Sequence, residues 1–298
     1  MPTPFKNQSG EWSAPADGPR RSVFANYRAD TGKQDTFSLG EGDGGDFEAG
    51  LTAGAGPGDA TLLQSAIDLA VARSFVHRFL AHAYTDPTRE GWSWLCSRAT
   101  WQNLLLALKA VKVEEPAPVF IEDAFEEFRD AYTAAFGHAA RGSCPLNEIE
   151  YGDIKADPLF QPHRLADLAA FYRAFGLEVA EDAGERQDHI SLELEFLCVL
   201  AAKEAYALEH QLDSDCLAQC RNAQKKFLRE HPGRWLPAFS RRLAAATQQP
   251  ALCELAVLTR RFIESECARF GVEPGSGELG LRPVDEGAER LCETCGVK

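Results

Sequence analysis

The chain has 298 residues, of which 45% are hydrophobic and 26% charged, which is enough apolar material for a sizeable folded core. Its formal net charge is −14 at pH 7, and no run of Lys or Arg is longer than two, which argues against nucleic acid and anionic membranes as partners. Nine cysteines scattered through apparently helical segments, with no secretory leader before them and no membrane-length apolar stretch, predict a soluble cytoplasmic protein with reduced thiols.

Residues 1–58 are rich in Gly, Pro, Ser, Asp and Thr and show no periodic apolar pattern, which predicts a disordered N-terminal extension. Within it, Pro19-Arg20-Arg21-Ser22-Val23-Phe24 is similar to a twin-arginine export signal. Charged residues occupy the place of the apolar segment that should follow, so we interpret the match as chance. The G-x-G-x-x-G pattern at 40–45 lacks a preceding strand and is surrounded by acids, which argues against a nucleotide-binding loop.

From residue 61 onward, apolar residues recur every three or four positions, and Pro or Gly ends several of these segments. The pattern predicts helices over 61–84, 92–96, 101–111, 121–136, 165–175, 188–208, 216–230, 233–246 and 252–270. No segment alternates with period two, so we expect an all-α fold. The predicted architecture is one compact helical bundle over 59–272, followed by a loose C-terminal tail over 273–298. The irregular segment 138–158 is expected to be a functional loop or a hinge, and 178–187 is expected to be an acidic, mobile loop.

The sequence contains none of the common motifs that indicate a catalytic site or a metal site. Cys292 and Cys295 have zinc-knuckle spacing but lack a second pair of ligands, which favours an ordinary reduced tail or an adventitious redox pair. His189 and Glu193 lie four apart, as two ligands on one helical face would. The simpler interpretation is that Asp188 caps the helix and His189 lies in its first turn. We therefore predict no catalytic residue, no metal and no cofactor.

Three stretches between residues 62 and 270 form a recognisable pattern. The first is Phe128-x-x-x-Tyr132-x-x-x-Phe136-Gly137, followed by Cys144-Pro145-Leu146-Asn147-Glu148-x-Glu150-Tyr151. The second is Leu165-Ala166-Asp167-Leu168-Ala169-Ala170-Phe171-Tyr172-Arg173-Ala174-Phe175-Gly176-Leu177, then Glu185-Arg186-Gln187-Asp188-His189-Ile190 and Glu193-Leu194-Glu195-Phe196-Leu197. The third is Phe227-Leu228-x-Glu230-His231 with Trp235-Leu236-Pro237-x-Phe239. Together they resemble the TorD/DmsD/NarJ superfamily, the dedicated maturation chaperones of molybdopterin oxidoreductases.

Two departures place the sequence away from the best-known members of that superfamily. Gln187 stands where the family usually has proline, and the loop reads Cys-Pro-Leu-Asn-Glu rather than the common Pro-Pro-Tyr-x-Ser. The sequence looks closer to the delta-type chaperones of ethylbenzene, dimethyl sulfide, selenate or chlorate oxidoreductases.

The resemblance implies an all-helical chaperone that binds the apo catalytic subunit of a molybdopterin oxidoreductase, often through its twin-arginine leader. Such a chaperone delays export until the bis-molybdopterin guanine dinucleotide cofactor has been inserted. By motif position, the resemblance assigns client binding to Glu148, Tyr151, Asp188 and His189, and we add Glu193 on the same helix start.

The chemistry of a leader agrees with this assignment, because two arginines followed by an apolar helix-former call for carboxylates beside an apolar groove. Each carboxylate taken alone is expected to be solvated, and their convergence in space is the hypothesis. The residues concerned are the acids Glu148, Glu150, Glu185, Asp188 and Glu193 and the apolar or aromatic residues Leu146, Ile149, Tyr151 and Ile190.

Two other functions stay open at this point. One is a small helical nucleotide-hydrolysing enzyme in which Asp188, His189 and Glu193 form the acid/base or metal cluster. The other is an accessory subunit that remains in the finished oxidoreductase. The sequence also leaves open whether the protein is a monomer or a dimer that exchanges helices across the 138–158 loop.

Overall fold

The structure is a computed structural model that describes residues 5–6, 12–13, 57–114, 116–137, 142–152, 160–180 and 184–282. Most of the predicted N-terminal extension, with its twin-arginine-like run and its G-x-G-x-x-G pattern, lies outside these residues. So do Cys292 and Cys295. Those predictions therefore stay predictions.

The described body is α-helical, as the periodicity predicts. Its helices are α1 (Pro57–Ala83), α2 (Arg89–Cys96), α3 (Arg98–Val111), α4 (Phe125–Phe136), α5 (Phe160–Ala174), α6 (Ile190–Glu209), α7 (Ser214–Glu230), α8 (Pro232–Ala246) and α9 (Pro250–Phe270). Short 3₁₀ turns cover Glu122–Ala124 and Glu148–Glu150. Outside the helical body, β1 (Phe5–Lys6) and β2 (Trp12–Ser13) form a two-residue antiparallel pair.

Two long helices, α1 and α6, lie at the centre of the bundle and pack against each other. In the second half of α1, large apolar side chains are buried on more than one face, as Phe75, Val76 and Leu80 show with 1% exposure or less. Helix α3 covers α1, α7 covers α6, and α8 packs against α9. Burial of each large apolar side chain stabilises the fold by about 1.5–3 kcal/mol relative to leaving it in water, which explains why a two-sided apolar helix becomes the centre.

A buried ionic network joins four helices on one side of this core. Arg73 of α1 donates from Nε and Nη2 to the carboxylate of Glu266 on α9 and from Nη1 to Glu204 of α6. Its Nη2 also donates to Gln224 of α7, and His77 lies 3.2 Å from Glu266. Arg73 is 1% exposed and Glu266 is fully buried, so each depends on the other for its charge to be tolerated.

We expected a loose tail from residue 273 onward, but the first part of this segment is hydrogen-bonded to the body. Residues 271–282, here called the strap, turn back along α8 and along the irregular segment 142–152. The Gly275 amide donates to the Gly233 carbonyl at 2.8 Å. That carbonyl is available because Pro237, four residues further along α8, has no N–H to occupy it. The rest of the predicted tail, residues 283–298, lies outside the described part of the chain.

The end of the strap is hydrogen-bonded to the 142–152 segment. Gly152 donates its amide to Gly280 at 3.0 Å, Arg282 donates its amide to Glu150 at 2.9 Å, and Tyr151 pairs with Leu281 as an isolated antiparallel bridge. The irregular segment that carries Glu148 and Tyr151 is thereby fixed against α8 from outside.

Candidate functional site

The two segments that carry the candidate residues come together, although about forty residues separate them in the sequence. The Glu148 amide donates to the Asp188 carbonyl, and the Ile190 amide donates to the Leu146 carbonyl, both at 2.9 Å. Asn147 and His189 form an antiparallel bridge between these bonds. We call the region where the 142–152 segment, the 184–189 turn and the first turns of α6 and α8 meet the junction.

Asp188 is fully buried in the junction and accepts hydrogen bonds on both carboxylate oxygens. Asn147 Nδ2 donates to Oδ1 and the Ile149 amide to Oδ2, each at 3.2 Å. Arg186 completes the set with Nε at 2.8 Å from Oδ1 and Nη2 at 3.0 Å from Oδ2. The prediction that Asp188 caps α6 is wrong: its carboxylate holds the 142–152 segment instead of a helix amide.

His189 is the residue that caps α6. Its Nδ1 accepts from the Ser191 amide at 3.3 Å and lies 2.7 Å from the Ser191 hydroxyl. An imidazole nitrogen that accepts from an amide carries no proton, so the ring contributes no positive charge through Nδ1 at the positive end of the helix. His189 is 8% exposed and belongs to the junction. It precedes the first turn of α6, whereas we predicted that it would lie within that turn.

Glu148 is also fully buried, and it faces three basic side chains. His231 Nδ1 donates to Oε2 at 2.8 Å, Arg234 Nη2 donates to Oε1 at 2.9 Å, and Arg164 lies 3.7 Å from Oε1. Burial alone would raise the pKa of Glu148, but the His231 hydrogen bond and the charges of His231, Arg234 and Arg164 lower it below its usual value. Glu148 is therefore an anion that ties its segment to α5 and α8.

Glu193, in the first turn of α6, is the opposite case. It is fully buried, its Oε2 accepts from Trp235 Nε1 at 3.0 Å, and its Oε1 has no hydrogen-bond partner among the described residues. Burial raises the pKa of Glu193 well above its usual value, and the charge of Glu148 raises it further; the Trp235 hydrogen bond lowers it, Asp188 raises it and Arg234 lowers it, without reversing the shift. The environment therefore favours the protonated carboxyl group.

Tyr151 fixes the end of the 142–152 segment. Its hydroxyl donates to the Pro145 carbonyl at 2.8 Å, its ring lies 4.9 Å from the Trp235 ring, and it is fully buried. Its carbonyl accepts from Arg234 at 3.3 Å. Tyr151 is thus a packed part of the junction rather than an exposed contact.

Gln187, one of the departures from the family pattern, links the turn to α5. Its side-chain amide donates to the Leu165 carbonyl at 2.7 Å, and its own carbonyl accepts from the Tyr172 hydroxyl at 2.8 Å. Proline has no side-chain donor, so this first contact requires the residue that the chain has here.

The five predicted site residues, Glu148, Tyr151, Asp188, His189 and Glu193, therefore lie together, but the chemistry around them differs from the prediction. Three of the acids are fully buried rather than solvated, whereas Glu150 and Glu185 are partly exposed. Sequence reasoning missed the basic partners: Arg164, Arg186, His231 and Arg234. Their only sequence signal was position, since each lies within or next to a stretch that carries the family resemblance.

Within the described ranges, no group of three or more His, Cys, Asp or Glu side chains is placed to hold a metal ion. In the same part of the chain, no helix combines the length and apolarity needed to cross a membrane.

Comparison with known proteins places this geometry in a family. A family model described as the nitrate reductase delta subunit matches residues 98–241, a range that contains all five site residues. The selenate reductase assembly chaperone protein of Thauera selenatis is 37% identical over 121 residues, and the perchlorate reductase assembly chaperone protein of Dechloromonas aromatica is 26% identical over 208. Over residues 98–241, the chain resembles the TorD/DmsD/NarJ superfamily. The resemblance inferred from the three sequence stretches is confirmed.

The extent of these matches differs between members of the superfamily. The selenate reductase match covers 39% of this chain and 58% of that protein, and the perchlorate reductase match covers 67% and 90%. The chlorate reductase assembly chaperone protein of Ideonella dechloratans is 35% identical over 115 residues, 37% of this chain and 54% of that protein. The chain thus spans little more than half of two of these relatives. No solved structure gives a significant match.

Proposed function

We propose that this protein is a maturation chaperone that binds the apo catalytic subunit of a molybdopterin oxidoreductase in the cytoplasm. In this proposal it recognises the twin-arginine leader of that subunit and keeps it from export until the bis-molybdopterin guanine dinucleotide cofactor has been inserted. The protein itself binds and releases; it performs no reaction. The relatives named as assembly chaperones support this role.

The observation that carries the proposal is the meeting of Glu148, Asp188 and Glu193 in one junction, where the guanidinium groups of Arg234 and Arg186 are hydrogen-bonded to Glu148 and Asp188. A protein surface that already accommodates arginine beside buried carboxylates has the donor and acceptor geometry that an arginine-bearing peptide needs. Leu146 and Leu165, both partly exposed, lie on the segments that frame the junction and supply apolar contacts for the leader's helix-forming part.

The test is co-purification of the full-length protein with the catalytic subunit of a molybdopterin oxidoreductase encoded beside it. The subunit is expressed with and without its leader, in cells that cannot make the cofactor. We expect the apo subunit to be retained, and we expect retention to fall by about tenfold when the leader is deleted. Deleting the leader leaves the chaperone unchanged, so this arm does not depend on the folding of a chaperone variant.

A second arm uses the Glu148→Gln/Asp188→Asn double variant, which we expect to lose the client. The single variant Glu264→Gln, on α9 and outside the junction, is the matched control and should retain it. If the wild-type protein retains no catalytic subunit, or retains the leaderless form equally well and the double variant likewise, the proposal is wrong.

A further inference from the structure

The ion pair between Arg186 and Asp188 joins a half-exposed side chain to a fully buried one. The exposed fraction is 50% for the Arg186 side chain and 0% for Asp188. Arg186 approaches with Nε and Nη2, one on each carboxylate oxygen, which is the bidentate arrangement that guanidinium and carboxylate prefer. Its guanidinium therefore lies between the buried acid and solvent.

The other partners of the junction acids are held more firmly. Asn147 and the Ile149 amide belong to the 142–152 segment, which the strap fixes in place. On Glu148, His231 is fully buried, and the side chains of Arg164 and Arg234 are only 22% and 21% exposed. Arg186 is thus the partner that can leave a junction carboxylate with the least disturbance of the fold, because water can solvate its guanidinium when it leaves, whereas the other partners are enclosed.

A second feature of the junction is a buried polar atom whose hydrogen-bonding capacity is not used. Glu193 Oε1 is buried and has no hydrogen-bond partner among the described residues. Glu193 is also close enough to Asp188 and Glu148 for their charges to act on it. A buried carboxyl oxygen without a partner is uncommon in folded proteins, so the junction has an unused hydrogen-bonding position near Asp188.

We propose that Arg186 is an internal competitor of the client, because its guanidinium occupies on Asp188 the position that an arginine of the leader takes in the complex. Binding then exchanges one guanidinium for another on the same two oxygens. This inference rests on the proposed function and specifies how its site is regulated.

Two consequences follow from the exchange. Asp188 is never left buried without a cation, so the site stays folded when no client is present. Lysine cannot reproduce the bidentate contact, because its ammonium group is a single point of charge, so the site discriminates Arg from Lys. Removing Arg186 should raise the affinity for an arginine-bearing peptide, whereas removing a merely structural ion pair should lower it or leave it unchanged.

The experiment measures binding of two synthetic peptides to the full-length protein by fluorescence anisotropy. One peptide carries an Arg-Arg pair followed by an apolar, leucine- and alanine-rich segment, and the other carries Lys-Lys at the same place. The variants are Arg186→Gln, Arg186→Lys and, as the control, Arg173→Gln. Arg173 is exposed on α5, so its replacement makes the same change in net charge.

We expect Arg186→Gln to bind the Arg-Arg peptide about three- to tenfold more tightly than the wild type, because the site no longer has to be vacated. The affinity of Arg186→Lys for the Arg-Arg peptide should lie between those of the wild type and Arg186→Gln. The affinity for the Lys-Lys peptide should increase less. Arg173→Gln should be unchanged. Far-UV circular dichroism and thermal unfolding verify that each variant is folded. If Arg186→Gln does not fold, the comparison between Arg186→Lys and the wild type decides the test.

Equal or weaker binding of both Arg186 variants overturns the inference, as does an equal gain from Arg173→Gln, which would reduce the effect to net charge. If no variant binds the Arg-Arg peptide while the catalytic subunit still co-purifies, the inference fails and the proposed function stands. If co-purification also fails, both fall.

Discussion

Glu148 and Glu193 are the same kind of side chain in the same junction, yet their surroundings act on them in opposite directions. Glu148 faces His231, Arg234 and Arg164, whereas the hydrogen bond that Glu193 receives comes from a neutral indole. Neighbouring cations lower the pKa of a buried carboxyl group, whereas burial without such neighbours raises it and favours the protonated form. This contrast gives the first prediction at the scale of single residues.

We expect Glu148→Gln to lower the free energy of unfolding at pH 7 by about 2–4 kcal/mol, since it leaves buried cations without their anion. Glu193→Gln should be neutral or slightly stabilising, because a neutral amide replaces a carboxyl group that the fold already prefers neutral. Urea denaturation of both variants and the wild type measures this difference. Equal losses in the two variants would contradict it.

The pH dependence of the two variants should differ in sign. The pKa of Glu193 is raised on folding, so its contribution is fully present below the unfolded pKa of about 4.3 and is lost as the pH rises towards the folded pKa. The pKa of Glu148 is lowered, so its contribution is present above about 4.3 and is lost as the pH falls through the folded pKa.

Repeating the urea denaturation at pH 5 and pH 8 checks the sign predicted for Glu193, and both values lie above the range in which Glu148 loses its contribution. Glu193→Gln should gain stability relative to the wild type as the pH rises, and the penalty of Glu148→Gln should be retained at both values. A gain for Glu193→Gln that does not grow with pH would show that Glu193 is ionised in the folded protein.

At the scale of elements, the strap depends on a close backbone approach. A Cβ atom added to Gly275 would lie 1.9 Å from the Arg234 carbonyl oxygen, within the first turn of α8. Gly277, two residues further on, has nothing nearer than the Arg241 Cδ at 3.9 Å. The two glycines therefore form a matched pair in which only one is required.

We expect Gly275→Ala to release the strap and to lower the free energy of unfolding by about 1–3 kcal/mol, whereas Gly277→Ala should be near neutral. Hydrogen exchange should quicken at the amides of Gly152 and Arg282 in the first variant, because both are protected by strap hydrogen bonds. Unchanged exchange at both amides in Gly275→Ala would mean that the strap can shift without leaving.

The elements themselves could be predicted from sequence because helix periodicity is local. The five-turn stripe of α6, and the glycines that end α4 and α5, are set by neighbours within a few positions; Gly137 and Gly176 have φ of 84° and 71°, as expected for residues that end a helix. The strap left no such signal, since its contacts run from backbone to backbone and involve glycines without periodicity.

The junction could be predicted only in part, for the same physical reason. The resemblance brought Glu148 and Asp188 together, but burial and pairing depend on residues far along the chain. His231 lies 83 positions from Glu148, and Arg234 lies 86. A carboxylate in sequence carries no mark of whether such a partner reaches it, which is why the acids were expected to be solvated.

At the scale of the whole molecule, the Arg73 network links the N-terminal helix of the body to its last one. Desolvation would raise the pKa of Glu266, but Arg73 and His77 hold it far below its usual value. Desolvation would likewise raise the pKa of Glu204, but Arg73, Arg221 and Gln224 lower it below its usual value. Desolvation lowers the pKa of His77, which therefore resists protonation in the folded state. All three groups make the fold less stable in acid.

We expect Glu266→Gln to cost about 3–5 kcal/mol at pH 7, since Arg73 and His77 would both lose their shared buried anion and Arg73 would keep Glu204 alone as a carboxylate partner among the described residues. Glu264→Gln, two residues earlier and partly exposed, should change stability by about 0.5 kcal/mol or less. Because lowered carboxyl pKa values stabilise above about pH 4.3 and cease to do so as the pH falls, the wild type should lose stability more steeply than Glu266→Gln on acid titration. Parallel acid titrations would contradict this.

The strap also has a practical consequence for anyone preparing the protein. The last described residue is Arg282, whose amide donates to the Glu150 carbonyl at the edge of the junction. A purification handle or fluorescent label attached directly after Arg282 would start beside the surface where we expect the leader to arrive. Fusions at that end should be cleaved before affinities are compared, and a dye there should report client arrival by a change in its emission.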